Sequence, residues 1–417
     1  MINVLAPFRI AMRAIRVHKV RSILTILGLM IGVMSIIIVL NMGQGLKGFV
    51  YNQMKVFGTD FLQVEVKVPS TSKTSSENAM GMAQGITITT LKMADAEVLA
   101  RHPNIRGYYV MQIGQDVVSN ELDKKTTLLW GVSADFFNLY QSEVVEGRSF
   151  TEEEDKSQAQ VVVIGPGLKK KFFPSGSVIG EKIKIGNKKF TVIGIMEEQG
   201  NYFGVMDLDS VVYMPVRTLQ KKILGIDHVS NIIAYMRDPN LASQTAEDFT
   251  AIMRQQHDIS DPNKDDFAVT TMEEAMGMMD TVLGAVTLLL IAIAAISLVV
   301  GGVGIMNVMY VSVSERTYEI GLRKAVGATK NNILWQFLWE AIFLTSLGGL
   351  SGVILGSFFS LISVIAARSY GLDWGYNFSW FGIILGVGFS AGVGLVFGLY
   401  PARQAANLEP VEALRFE

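Results

Sequence analysis

The sequence contains no cysteine, and that absence removes several kinds of chemistry at once. Disulfide staples, thiolate metal sites and a thiol nucleophile are all excluded. Any domain it forms must hold together by burying apolar surface, which a segment of roughly 200 residues can do unaided. Histidine is nearly as scarce: His18, His102, His228 and His257 stand alone, with no spacing suited to zinc. No G-x-x-x-x-G-K-[ST] loop occurs, so nucleotide phosphates have no P-loop to rest in. The zinc-protease pattern H-E-x-x-H is missing too. Gly301-Gly302-Val303-Gly304 lies inside an apolar run with no strand before it, so close packing explains it better than a dinucleotide. The formal net charge is −2, and no one-signed excess points to nucleic acid.

Apolar sequence is abundant, and it is concentrated in four runs. They read as membrane spans at 22–43, 282–313, 333–367 and 380–400, because a hydrocarbon core takes about 20 apolar residues to cross. Within lipid the backbone must satisfy its own hydrogen bonds, so each span is helical. The basic start followed by an apolar run is expected to be a retained signal anchor, being too long for a signal-peptide core and lacking an A-x-A-like cleavage site. Arg9, Arg13, Arg16, Lys19 and Arg21 precede the first span with no acidic residue among them. Arg316, Arg323, Lys324 and Lys330 lie between the second and third spans, whereas Arg368 alone is basic in the link to the fourth. The positive-inside rule then puts both termini and the 314–332 link in the cytoplasm, and 44–281 outside it.

Residues 1–21 are expected to form a cytoplasmic amphipathic helix. Leu5, Phe8, Met12 and Ile15 share one face and the arginines another. The long segment between the first two spans reads as α+β. Leu62, Val64, Val66 and Val68 alternate with Gln63, Glu65 and Lys67, a half-buried strand. Pro69–Gln84 is Ser/Thr-rich and reads as a solvated loop, its Met80 and Met82 included. Thr89 or Thr90 caps a helix ending near Arg101, and strands follow at Gly107–Ile113 and Thr126–Val132. A mostly β unit comes next, with a Gly186-Asn187 turn joining Lys182–Ile185 to Lys189–Ile195. Strand Val229–Tyr235, helix Leu241–Gln256 and strand Phe267–Thr270 complete a β-α-β frame around it, and a helix from Met272 leads into the second span.

Ionisable residues deep in the spans are scarce. Glu340 is the exception, a carboxylate near the inner end of the third span, where it can reach the interface or pair with a nearby Arg or Lys. The lack of a charged midplane site argues against an ion-coupled transporter. Gly28 and Gly32 in the first span, and Gly348, Gly352 and Gly356 in the third, recur at four-residue spacing and permit close helix packing. The fourth span carries Gly382, Gly386, Gly388, Gly392, Gly394 and Gly398.

Ser314–Gln336 predicts a short helix in which Arg316/Glu319 and Glu319/Arg323 are spaced for pairing. Tyr318, Leu322 and Ala325 form an apolar stripe suited to a groove, and Gly327 ends the helix. Such a helix can lie on the membrane or receive force from a motor.

The stretch ERTYEIGLRKAVGATKNNILWQFLWEA (315–341) resembles the signature of MacB/FtsX-type permeases of ATP-binding-cassette systems. The resemblance extends to NMGQGL (41–46), FGTDFLQV (57–64), GRSFTEEE (147–154) and the tail YPARQAANLEPVEALR at 400–415, within 401–417 but for its first residue. It implies a four-span membrane protein of the bacterial cytoplasmic (inner) membrane. Its large α+β extracytoplasmic domain would have a porter-like β-α-β part and a β-rich, sabre-like insertion at about 131–215. It implies that Glu315, Arg316, Tyr318, Glu319, Ile320, Leu322, Arg323 and Lys324 form a coupling helix against an ATPase subunit. That subunit, expected to be a separate polypeptide, would bind ATP and magnesium, so this chain needs no cofactor. A second permease copy or paralogue, membrane lipids and an adaptor protein outside are the further partners implied. The expected activity is relay of ATP-driven motion to the outer domain, called mechanotransmission, for export of peptides, drugs or other envelope substrates. Lipoprotein release and signalling to a cell-wall hydrolase are the alternatives within the same resemblance.

Overall fold

The computed structural model describes residues 19–55, 58, 60–69, 88–121, 123–140, 142–174, 176–202, 206–370, 372, 374–375 and 379–414. The expected N-terminal amphipathic helix and most of the Ser/Thr-rich loop, with Met80 and Met82, lie outside these residues. The chain divides into two compact units. One takes the residues up to Phe49 and from Asp280 onward, and the other takes Val50–Met279.

Four helices are long and apolar enough to cross a membrane: Lys19–Lys55, Met272–Glu315, Lys330–Ser369 and Trp380–Asn407. They are called here the first to fourth membrane helices. Each runs past the apolar run that announced it at one end or both. Helix ends are set by caps and by the backbone ladder, not by hydropathy, and Thr329 and Ser379 supply caps to Asn332 N and Gly382 N.

Small residues fix how these helices meet. A Cβ added to Gly352 would lie 2.7 Å from Met30 O, and one on Gly356 would lie 2.9 Å from the Ile37 side chain. Gly348 faces Leu29 in the same way, so the third helix lies along the first. A Cβ added to Gly28 would lie 3.5 Å from Gly301 Cα, and Gly32 packs against Leu298, which joins the first helix to the second. In the fourth helix Gly394 and Gly398 press on Thr345 and Ala341, but Gly388 and Gly392 face open space. Glycine count alone therefore overstated the packed face of that helix.

Three hydrogen bonds from two side chains tie the first helix to the fourth and third. Asn41 accepts from Ser379 N at 3.3 Å and donates to Ser360 Oγ at 3.4 Å, and Gln44 donates to Ser379 Oγ at 3.3 Å. Gly45 leaves room for Trp374, whose indole nitrogen would lie 2.0 Å from an added Cβ. These contacts give the NMGQGL motif a packing role.

The other unit is built on one ten-stranded sheet. Its strands are β1 (Phe61–Val66), β2 (Ile105–Ser119), β3 (Lys124–Val132), β4 (Val144–Gly147), β5 (Val161–Ile164), β6 (Lys182–Ile185), β7 (Lys188–Met196), β10 (Val212–Pro215), β11 (Asn231–Met236) and β12 (Phe267–Thr271). A separate small hairpin pairs β8 (Asn201–Tyr202) with β9 (Met206–Asp207). The order is β12-β1-β11-β2-β3-β10-β5-β7-β4, with β6 bound to β2 and β7. Pairs β3/β10 and β5/β7 are parallel and the others antiparallel. The insertion is therefore continuous with the frame at the β3/β10 seam, where each strand saturates an edge the other would leave unpaired.

Period-two alternation explains the sheet's two faces. Tyr109, Trp130, Tyr213 and Tyr235 point to one side and build a single aromatic layer with Phe136 and Tyr140. Their neighbours Val110, Leu129, Val212 and Ala234 point to the other side and divide into two cores. One lies under helices Met93–Leu99 and Ala242–Gln256, the other under Pro166–Phe172. Burial raises the phenol of Tyr235 to about 12.

Some local expectations shift. The Met93–Leu99 helix is shorter than expected, and its start is set by Asp95, which accepts from Lys92 N at 2.7 Å, and not by Thr89 or Thr90. Strand β2 runs six residues beyond Ile113, because its far half pairs with β3 and β6. The Gly186-Asn187 turn stands where expected, with Gly186 at φ +55°. In GRSFTEEE, Gly147 adopts φ +81° against Ile193 O, Arg148 clamps Glu154 with two bonds of 2.7 and 2.8 Å, and Thr151 and Glu154 form a capping box.

Candidate functional site

Glu315, at the end of the second membrane helix, is followed by a nine-residue linker helix, Thr317–Ala325, and then by the third membrane helix. Thr317 Oγ donates to Ser314 O at 2.8 Å, which shapes the bend into the linker. Gly327 at φ +106° closes it, with Gly327 N bonded to Lys324 O and Ala328 N to Arg323 O. A left-handed glycine is the usual residue for such a stop.

The linker helix has an inner and an outer side. Ile320 is buried in the membrane-helix core, and Gly321 presses against Ala413, where an added Cβ would lie 2.7 Å from the alanine methyl. Arg316 Nη1 reaches Glu340 Oε2 at 3.1 Å, and Glu340 is only 1% exposed. Arg323 donates to Gln336 Oε1 at 2.9 Å and to Glu319 Oε1 at 2.5 Å. Lys324 Nζ donates to the carbonyls of Ala406 and Leu408 at 2.8 and 2.5 Å. Burial holds the Lys324 ammonium below its ordinary pKa, Lys330 adds to that, and Glu409 opposes it.

On the outer side Tyr318 is 57% exposed, Leu322 48% and Val326 83%, with Ala325, Glu315 and Glu319 also exposed. The residues expected to form one coupling set thus divide. Tyr318, Leu322, Glu315 and Glu319 face outward, whereas Arg316, Ile320 and Lys324 are turned to their own chain. Arg323 is shared between Glu319 and Gln336. The Arg316/Glu319 pair does not form, because Glu340 takes the guanidinium. The role of the tail was not readable from spacing: Ala402, Ala405, Ala406 and Ala413 are buried, and Val411 is exposed.

The large unit offers a cleft of about 240 Å³ lined by Met54, Phe61, Tyr109, Met111 and Met272 among others. Two of its polar side chains, Gln63 and Asn231, bond each other at 3.0 Å. Among the described residues no three His, Asp or Glu side chains are grouped to hold a metal. His257 lies between Asp266 and Asp95, at 2.9 and 3.4 Å.

Comparison with known proteins accounts for both units. Residues 22–252 match the MacB-like periplasmic core domain, and residues 291–410 match the FtsX-like permease C-terminal domain. The second interval contains the linker helix, the Glu340 pair and most of the tail. The macrolide export ATP-binding/permease protein MacB of Neisseria meningitidis serogroup A is 33% identical over 98% of this chain and 60% of its own length. The protein of the same description from Chlorobium phaeobacteroides is 37% identical, again over 98% and 60%. The chain thus spans about three fifths of the length of these relatives. Among solved structures, the periplasmic region of MacB from Actinobacillus actinomycetemcomitans matches with a TM-score of 0.45 at 19% identity, over 55% of this chain and 97% of that one. With two domain models covering most of its length, the chain belongs to the MacB/FtsX-type family of ABC transporter permeases.

Proposed function

We propose that this chain is the permease of a MacB-type transporter that carries the motion of an ABC ATPase to a domain outside the cytoplasmic membrane, for export of peptides, drugs or other envelope substrates. The observation that carries the reading is the outward apolar patch of Tyr318, Leu322 and Val326 on the linker helix, inside the interval that matches the permease domain. Exposed apolar residues rimmed by charge mark a protein contact. No phosphate-binding loop occurs in these residues, so the ATP-binding part of the proposed system lies outside them. The basic residues at 9–21 and around the linker support a topology with both termini inside and the large domain outside.

The test is co-purification and reconstitution in lipid with the ATPase that accompanies the chain. Tyr318→Glu and Leu322→Glu are expected to abolish association and permease-stimulated ATP turnover. Retention of both would overturn the reading. A large domain labelled from the cytoplasmic side by an impermeant maleimide, at Val145→Cys in this cysteine-free chain, would overturn the topology. A lipoprotein or a cell-wall hydrolase in the purified complex would redirect the cargo assignment.

A further inference from the structure

Glu340 is a carboxylate buried within a membrane helix, and the relay proposed above gives it no task. Its partner Arg316 sits at the start of the linker helix, with both carboxylate oxygens within 3.4 Å of Nη1. One turn earlier on the same face of the third membrane helix, Gln336 accepts from Arg323. Two acceptors four residues apart thus meet two guanidinium groups seven residues apart on the linker. The linker's last turn is fastened separately, by Lys324 on the carbonyls that end the fourth helix.

We propose that Glu340 is a positioning residue that latches the linker helix to the third membrane helix, so that a push on the outer face of the linker moves the third and fourth helices along with the second. The physical basis is the cost of an unpaired charge. A buried carboxylate that loses the cation paired with it leaves an uncompensated ion away from solvent, which holds the pair closed more firmly than a surface pair would be held. Gln336 and the Lys324 carbonyls then fix the angle of the helix. Without Glu340 the linker keeps its covalent ends and its Ala413 contact, but Arg316 loses its acceptor.

The latch itself rests on geometry. Its use in coupling rests on the proposed function, and one experiment separates the two. The chain has no cysteine, so Ala325→Cys and Trp339→Cys, both exposed, accept spin labels without background. With the full chain in lipid nanodiscs, pulsed EPR is expected to give one narrow distance population. Glu340→Gln should add a second, broader population, Glu340→Asp should restore the narrow one, and Arg316→Gln should reproduce the broadening. Arg316→Gln and Glu340→Gln combined should broaden it no further than either alone. An unchanged distribution in Glu340→Gln overturns the latch. Arg316→Gln serves the same purpose where Glu340→Gln fails to accumulate, because Arg316 lies at the helix start and not inside the span. Tyr318→Glu should leave the EPR distribution narrow while abolishing ATPase association. If association survives Tyr318→Glu, the docking reading fails and the latch still stands.

Discussion

At the scale of single residues, glycine decides how closely the membrane helices approach. Gly352 has Met30 O and the Val33 side chain within 3 Å of where a Cβ would stand, whereas Gly388 has nothing within 4 Å. Gly352→Val is therefore expected to cost about 1–3 kcal/mol by overpacking, read as a lower unfolding temperature of the purified chain in detergent. Gly388→Ala should leave that temperature unchanged or raise it slightly, since alanine is the better helix former. The four-residue spacing of Gly348, Gly352 and Gly356 was legible as a small face. Which helix lay against it was not, because one helix's pattern carries no address for its partner. Glu340 shows the same limit: its burial was plain from position, but the choice of Arg316 over other cations needed the linker's fold.

At the scale of elements, the Thr151–Glu154 capping box shows how a short motif becomes structure. Thr151 accepts from Glu154 N at 3.3 Å, and Glu154 returns a bond to Thr151 N at 2.9 Å. Removing the cap by Thr151→Ala should cost about 1 kcal/mol, seen as faster amide exchange across Glu152–Lys156. The two bonds from Arg148 hold the Glu154 carboxyl below its ordinary value of 4.5. A depressed carboxylate contributes stability that is full above its unfolded value and is lost as pH falls through the folded one. The wild-type chain should thus lose a small increment of thermal stability on acidification below about pH 4.5 that Glu154→Gln has already lost. The sheet was less legible than the caps. Alternation told which way side chains point, as with Tyr109 against Val110, but the parallel β3/β10 and β5/β7 pairs join strands far apart in sequence. No local pattern encodes such neighbours, so the insertion read as a separate module when it continues the same sheet.

At the scale of the whole molecule, the boundaries between the two units fall at 49/50 and 279/280, inside the helices Lys19–Lys55 and Met272–Glu315. Both helices run unbroken through these boundaries, and the proposed relay would use that continuity. Gly277→Pro removes a backbone donor inside the longer helix and kinks it, a change worth about 3 kcal/mol. The expected outcome in the reconstituted complex is ATP turnover that persists while substrate export is lost. Equal export by the variant would show that the second helix need not be continuous. Two spans with a large domain between them were evident from hydropathy alone, because the apolar runs are so unevenly spaced. The last few residues at each crossing were not, since the helices continue through sequence that is no longer apolar.

The Lys324 bonds also set an order of assembly. The ammonium is donated to carbonyls 82 and 84 residues later in the chain, and Gly321 packs on Ala413, later still. Synthesis runs from the N-terminus, so the linker helix emerges long before the groups that fasten it exist. A polypeptide interrupted before residue 406 would carry the outward patch without its backing. For the proposed docking, such a chain would present the patch on a linker not yet fastened to residues 406–413.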